Sequence, residues 1–182
     1  MKTLIGCAAA ALVLSAPGVA GIVNPAPYPQ TLIRKATTMV RSKALYKKAI
    51  LLEADGTPKL GTKVTSAMGI VNWRFVYDNQ ETKTQFKTVF LRARNGRLGP
   101  PVGNRSIFEE DERITTLPKM TLSMAIAKLR AKGHIQPFGA VTLRFPLGPG
   151  FKETLYIFTF GSGNNVNYWS VGTKTGKVKP IS

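Results

Sequence analysis

The chain has 182 residues, with 26 Lys and Arg against 9 Asp and Glu, a formal net charge of +17. One cysteine and one histidine exclude an internal disulfide and leave almost nothing from which to build a metal site. A cationic field of this size either attracts polyanions (nucleic acid, acidic polysaccharide, anionic lipid) or serves solubility and loose attachment to an envelope.

Lys2 opens a short basic stretch, Leu4 to Leu14 is apolar and alanine-rich, and Pro17-Gly18 ends it. Gly18-Val19-Ala20 places small residues where a signal peptidase reads, so residues 1–20 are predicted to be a secretory signal peptide cleaved before Gly21. The apolar run is too short to span ~30 Å of hydrocarbon. Leu4-Ile5-Gly6-Cys7 has the look of a lipobox, but too few residues precede Cys7 for a leader core. The expected protein is therefore secreted or periplasmic, with no transmembrane segment in the mature chain. Its single cysteine leaves with the leader, which suits a bacterial envelope compartment. From Gly21 onward the chain is long enough for one medium domain or two small ones.

Residues 21–30 form a Pro-rich extended leader through Pro25, Pro27 and Pro29. From Thr31 a helix is predicted, with Leu32, Ile33, Ala36, Met39 and Val40 as its apolar stripe and Arg34 and Arg41 turned away from it. Tyr46 to Ala54 reads as a strand ended by the turn Asp55-Gly56-Thr57-Pro58. Val71 to Tyr77 comes next, with Trp73, Phe75 and Tyr77 on one face, then Gln85 to Arg94, closed by Asn95-Gly96. A second helix is predicted from Thr121, with Leu122, Ala125, Ile126 and Leu129 as its stripe and Lys132-Gly133 as its stop. The strands Phe138 to Phe145, Glu153 to Phe160 and Val166 to Lys174 complete the chain.

Helix and three strands thus occur twice, and Leu91 to Leu98 aligns without a gap on Val171 to Val178. The expectation is an α+β fold of two tandem repeats, each a helix packed on a three-stranded antiparallel meander. Residues 31–104 form the first repeat, 105–119 an acidic linker and 120–182 the second. The Pro58 to Gly69 loop absorbs the extra length of the first copy. The aromatic strand Leu155-Tyr156-Ile157-Phe158 and the ending Thr175-Gly176-Lys177-Val178 resemble the PepSY domain, a cystatin-like α+β module of exported bacterial proteins. The resemblance covers Met120 to Ile181 best and Thr31 to Leu98 more weakly. An acidic position usual before the closing turn is replaced here by Gly172-Thr173-Lys174. It implies a non-catalytic inhibitory or chaperone-like module associated with secreted peptidases. Tandem helix-and-sheet proteins such as the secreted beta-lactamase inhibitors are similar in architecture alone.

No catalytic, cofactor-binding or metal-binding residues are expected. His134 has no ligand-type neighbour in sequence, no Gly-x-Ser-x-Gly elbow exists, and Gly148-Pro149-Gly150 precedes a strand, not the helix a phosphate loop needs. Glu109, Glu110, Asp111 and Glu112 either form a solvated linker or helix start, or dock on the basic face of the same fold. Asn104-Arg105-Ser106 matters as a glycosylation sequon only in a eukaryotic pathway. About half of the strand aromatics belong to the core, and the remainder are available to an exposed sheet face.

Two functions are expected on these grounds. The first is recognition or inhibition of an exported protein or peptidase through Leu147, Gly148, Pro149, Gly150 and Phe151, with Gly161, Ser162, Gly163, Asn164 and Asn165. The second is attachment to cell-wall polysaccharide, anionic lipid or nucleic acid, with Arg34, Arg41, Lys47, Lys48, Arg92 and Arg94 as anchors.

Overall fold

A computed structural model describes residues 29–181. The predicted signal peptide and all of the predicted Pro-rich leader except Pro29 and Gln30 lie outside the described residues. Two helices, α1 (Gln30–Arg41) and α2 (Leu122–Ala131), accompany nine strands. In chain order these are β1 (Ile50–Thr57), β2 (Asn72–Asp78), β3 (Thr88–Arg94), β4 (Arg97–Leu98) and β5 (Val102–Asn104). After α2 come β6 (Ala140–Arg144), β7 (Leu155–Ser162), β8 (Asn165–Gly172) and β9 (Val178–Ile181).

All nine strands belong to one antiparallel sheet, ordered β4-β3-β2-β1-β6-β7-β8-β9, with β5 also on β3. This overturns the expected pair of tandem cystatin/PepSY-like repeats. The deciding contact is β1 with β6, in register from Glu53↔Arg144 to Gly56↔Val141. That pairing consumes the edge at which a separate three-stranded meander would end. A further tie runs from the start of α1, where Gln30 Nε2 donates to Met120 O at 2.8 Å and Tyr156 Oη at 3.0 Å. One core serves both helices: Ile33, Ala36 and Val40 of α1 and Leu122, Ala125 and Leu129 of α2 join Phe75, Tyr77, Leu143, Tyr156 and Phe158. Both helices therefore cover the same sheet face.

Local sequence explains most element ends. Thr121 Oγ1 accepts from Met124 N at the start of α2, satisfying one of the free N–H groups there. Gly133, at φ +87°, ends that helix in the left-handed region that glycine adopts without strain. Asn95 and Gly96 both have positive φ, the geometry of a two-residue hairpin turn, and connect β3 to β4. At α1, by contrast, the preceding residue is Pro29 and no side chain caps the end.

The strand readings shift, with β3 beginning at Thr88 and β8 running Asn165–Gly172. Tyr46 sits in a short 3-10 turn, Ala44–Tyr46, and β1 begins at Ile50. Asp55-Gly56-Thr57 continues β1 instead of turning, because Gly56 lies beneath the Trp73 ring: a Cβ there would stand 2.6 Å from Ile70 and 2.8 Å from Trp73. The short β4, β5 and β9 are additions to the expected strands, and β9 starts at Val178, directly after the Thr-Gly-Lys turn.

The acidic linker is neither helix nor free loop. Ile114 N donates to Leu51 O at 2.7 Å and Glu112 N to Phe145 O at 2.8 Å, and Asp111 bridges to Pro146. Ile114 and Met120 are buried in the core cluster. The segment thus forms a strap tied to its own fold by backbone hydrogen bonds and the buried Asp111, while Glu109, Glu110 and Glu112 stay exposed, so neither reading of this cluster holds whole.

Candidate functional site

Alternation along the strands fixes which side chains face away from the helices. On β3, Val89, Leu91 and Ala93 belong to the core, so Arg92 and Arg94 project from the opposite face. One cross-strand row on this open face runs Arg92, Arg74, Asp55, Thr142, Ile157, Ser170 and Lys179, each in register with the next.

The middle of the face is an ion-pair lattice. Arg74 donates to Asp55 Oδ2 (Nε at 2.8 Å and Nη2 at 2.5 Å) and to Glu53 Oε1 at 2.8 Å. Arg144 Nε meets Asp111 Oδ1 at 2.6 Å, and its other nitrogens lie 4.0 Å from Glu53 and 3.8 Å from Glu110. Thr142 Oγ1 donates to Asp55 Oδ1 at 2.8 Å. Burial pushes the Glu53 carboxyl up to about 8, aided by Asp55 and opposed by Arg74. Burial likewise raises Asp111 to about 6 against the pull of Arg144. Near one end, Arg113 clamps Asp78 at 2.5 Å and also pairs with Glu81.

These pairs commit most of the carboxylates. Glu153 is taken as well, by the turn after β8: it accepts from the backbone N–H of Lys174 (2.5 Å) and Thr175 (3.0 Å) and from Thr175 Oγ1 (2.6 Å). Burial alone would raise its pKa, but those hydrogen bonds hold it below the usual glutamate value. The Thr175-Gly176-Lys177 turn is thus held by a carboxylate from the segment just before β7.

What remains is an arginine cluster at the β3–β4 edge. Arg94 stands opposite Arg97, and Arg92 lies two residues along the same face. All three are exposed, and among the described residues none has an ion-pair partner. A shallow depression beside them is lined by Leu60, Asn72, Arg92, Arg94 and the Arg74–Asp55 pair. Arg97 is not among the anchors expected from the sequence. A signal for it exists, because a two-residue Asn-Gly turn forces the residues flanking it to face each other.

The structure does not gather the other anchor candidates into this cluster. Arg34 and Arg41 are exposed on α1, on the helix side of the sheet, where Arg41 Nε donates to Ala49 O at 2.8 Å. Lys47 and Lys48 are exposed in the connection before β1. The two glycine-rich loops do not converge either. Leu147 to Phe151 precedes β7, and Gly161 to Asn165 surrounds the hairpin that ends it. Six residues of β7, Leu155 to Phe160, at ~3.3 Å each separate them. His134 lies against Trp169, ring centroids 3.8 Å apart and planes tilted by 39°, and among the described residues no group of acidic, His or Cys side chains could hold a metal ion. Of the described aromatics, Trp73, Phe75, Tyr77, Tyr156, Phe158 and Phe160 are buried, and Tyr168 is the one substantially exposed. The open face is therefore cationic more than aromatic.

The fold defines a class: one antiparallel sheet with two helices on a single face and a strap across one end. The fold is similar to that in the crystal structure of a candidate lipoprotein, CD1622, from Clostridium difficile 630, with a TM-score of 0.52 and 14% identity, covering 82% of this chain and 92% of that one. At this identity the likeness is one of fold. No family model and no curated protein matches the chain, so the PepSY resemblance rests on the residues quoted for it. No described helix is long and apolar enough to cross a membrane.

Proposed function

We propose that this is an exported, non-catalytic attachment protein that binds a polyanion of the bacterial envelope through the arginine edge of its open sheet face. A single observation carries the reading: Arg92, Arg94 and Arg97 stand together without a carboxylate, while Arg74, Arg113 and Arg144 are each clamped by one or more. Like charges placed across a strand pair destabilise a sheet. Their side-by-side placement is compensated when an anion binds. The leader-like sequence before Gly21 and the lipoprotein-named neighbour support export.

Recognition of an exported peptidase through the two glycine-rich loops is the weaker reading, because the loops sit at opposite ends of β7 and each must act alone. Both readings can be separated on a column. Retention on polyphosphate or heparin-like resin should fall steeply with salt, and Arg92→Gln/Arg94→Gln/Arg97→Gln should elute much earlier than the parent. Retention indifferent to salt and to the substitutions would remove the polyanion reading. Complex formation with a secreted peptidase, lost on replacing Leu147 or Phe151, would favour the other.

A further inference from the structure

The end of the sheet that carries the arginine edge also carries the most exposed apolar side chains of the described chain. Four connections meet there: residues 58–71 after β1, the Asn95-Gly96 turn, residues 132–139 before β6, and the Gly163-Asn164 turn. The first three are tied by Val64 paired with Phe138, Asn95 N donating to Val71 O at 2.7 Å, and Arg130 Nη2 donating to Thr65 O at 2.8 Å, and the register of β6 with β7 and β8 brings the fourth to the same end. None of the four contains an acidic residue. Exposed Lys59, Lys63 and Lys132 lie in them, and exposed Arg94, Arg97 and Arg130 flank them. Asp78, Glu81 and the Glu109 to Glu112 cluster belong to the opposite end, where β2 finishes and the strap docks. The molecule is thus electrically lopsided.

Leu60 is 97% exposed, Met68 75% and Ile135 68%, all three in these acid-free connections. Single exposed apolar residues need no explanation, but three at one cationic end do. A soluble polymer of sugar or phosphate offers nothing for a bare leucine, methionine or isoleucine to enter. An anionic bilayer offers both things: headgroup charge for the cations and an acyl boundary for the apolar tips.

We propose that this end of the protein docks on the surface of a bilayer containing anionic phospholipid, with Leu60, Met68 and Ile135 inserted at the headgroup–acyl boundary. The proposal rests on the polyanion reading above and names its ligand. The protein lies on the surface without spanning it.

Sedimentation with vesicles tests it, one set of equal parts phosphatidylglycerol and phosphatidylcholine and one of phosphatidylcholine alone. The protein should pellet with the first set and stay in solution with the second. Replacing Lys59 or Lys63 by Gln should weaken the partition about fivefold each. Leu60→Ser/Met68→Ser/Ile135→Ser should weaken it at least tenfold, roughly, and leave retention on polyphosphate resin unchanged. These side chains are exposed, so the triple variant keeps its core; its circular dichroism should match the parent. A triple variant that pellets like the parent overturns the docking proposal and leaves the polyanion reading standing. So does a parent retained by the resin but indifferent to both vesicles. A parent that binds neither resin nor vesicle removes both.

Discussion

Asp111, in the strap, accepts a 2.6 Å hydrogen bond from Arg144 Nε on β6, and its side chain is fully buried by that contact. The pair fastens an irregular segment to the sheet strand that unites the two halves. Removing the acid leaves a largely buried guanidinium with its 3.1 Å bond to the Glu110 carbonyl and longer approaches to the Glu53 and Glu110 carboxylates. Asp111→Ala should therefore destabilise the fold by roughly 2 kcal/mol. Urea unfolding measures this, and limited trypsin digestion should cut first at Arg105, Arg113 or Lys119. Unchanged stability would mean that the backbone bonds of Glu112 and Ile114 hold the strap unaided.

The buried Glu53 makes stability depend on pH. Its folded-state pKa is raised to about 8 from an ordinary glutamate value, so between pH 5 and 8 the folded chain binds more protons than the unfolded chain. Stability must then fall as pH rises through that window. The expected loss is on the order of 2 kcal/mol. Asp111, raised to about 6, adds a smaller loss of the same sign at the acid end of the window. Glu53→Gln should flatten the profile and be more stable than the parent at pH 8. A thermal melt series that shows the parent gaining stability from pH 5 to 8 would contradict the assignment.

Gly56 carries the Trp73 ring where sequence alone suggests a turn. Gly56→Ala places a methyl 2.6 Å from Ile70 and 2.8 Å from Trp73, both buried, so either the ring or the strand must move. The expected cost is roughly 2 kcal/mol, with a change in tryptophan emission as Trp73 shifts. A variant with parental stability and spectrum would show that the packing there gives easily.

Arg94 and Arg97 oppose each other with no acid paired to either, which predicts an unusual direction for a substitution. Arg94→Thr should raise stability by about 0.5 kcal/mol at low salt, and the gain should vanish at high salt. The same variant should bind polyanions less well. A site kept for function at a cost in stability behaves this way, whereas loss of both properties together would indicate a structural arginine.

The two helices are legible in the sequence because their apolar stripes, the Thr121 cap and the Gly133 stop are local signals, read within a few residues. So is the core face of β2, since Trp73, Phe75 and Tyr77 alternate. Other features are not. Sequence reading cuts β1 short because Asp55-Gly56 carries turn chemistry that the overlying Trp73 ring overrides. It passes over β9 because four residues containing Pro180 give no periodic signal of their own. Within the candidate site, Arg92 and Arg94 are readable as exposed strand residues, and Arg97 is implied by the hairpin turn.

By itself the sequence determined the charge, the export-like leader, the helices and the alternation that sorts each strand into two faces. Those depend on neighbours a few residues apart. Only the tertiary structure decided that β1 pairs with β6, that the acids are drawn into a central lattice and a strap, and that one arginine edge is left without ion-pair partners. Strand pairing and ion-pair choice join residues such as Asp55 and Thr142 that are distant in the chain, and no local pattern encodes which edge meets which.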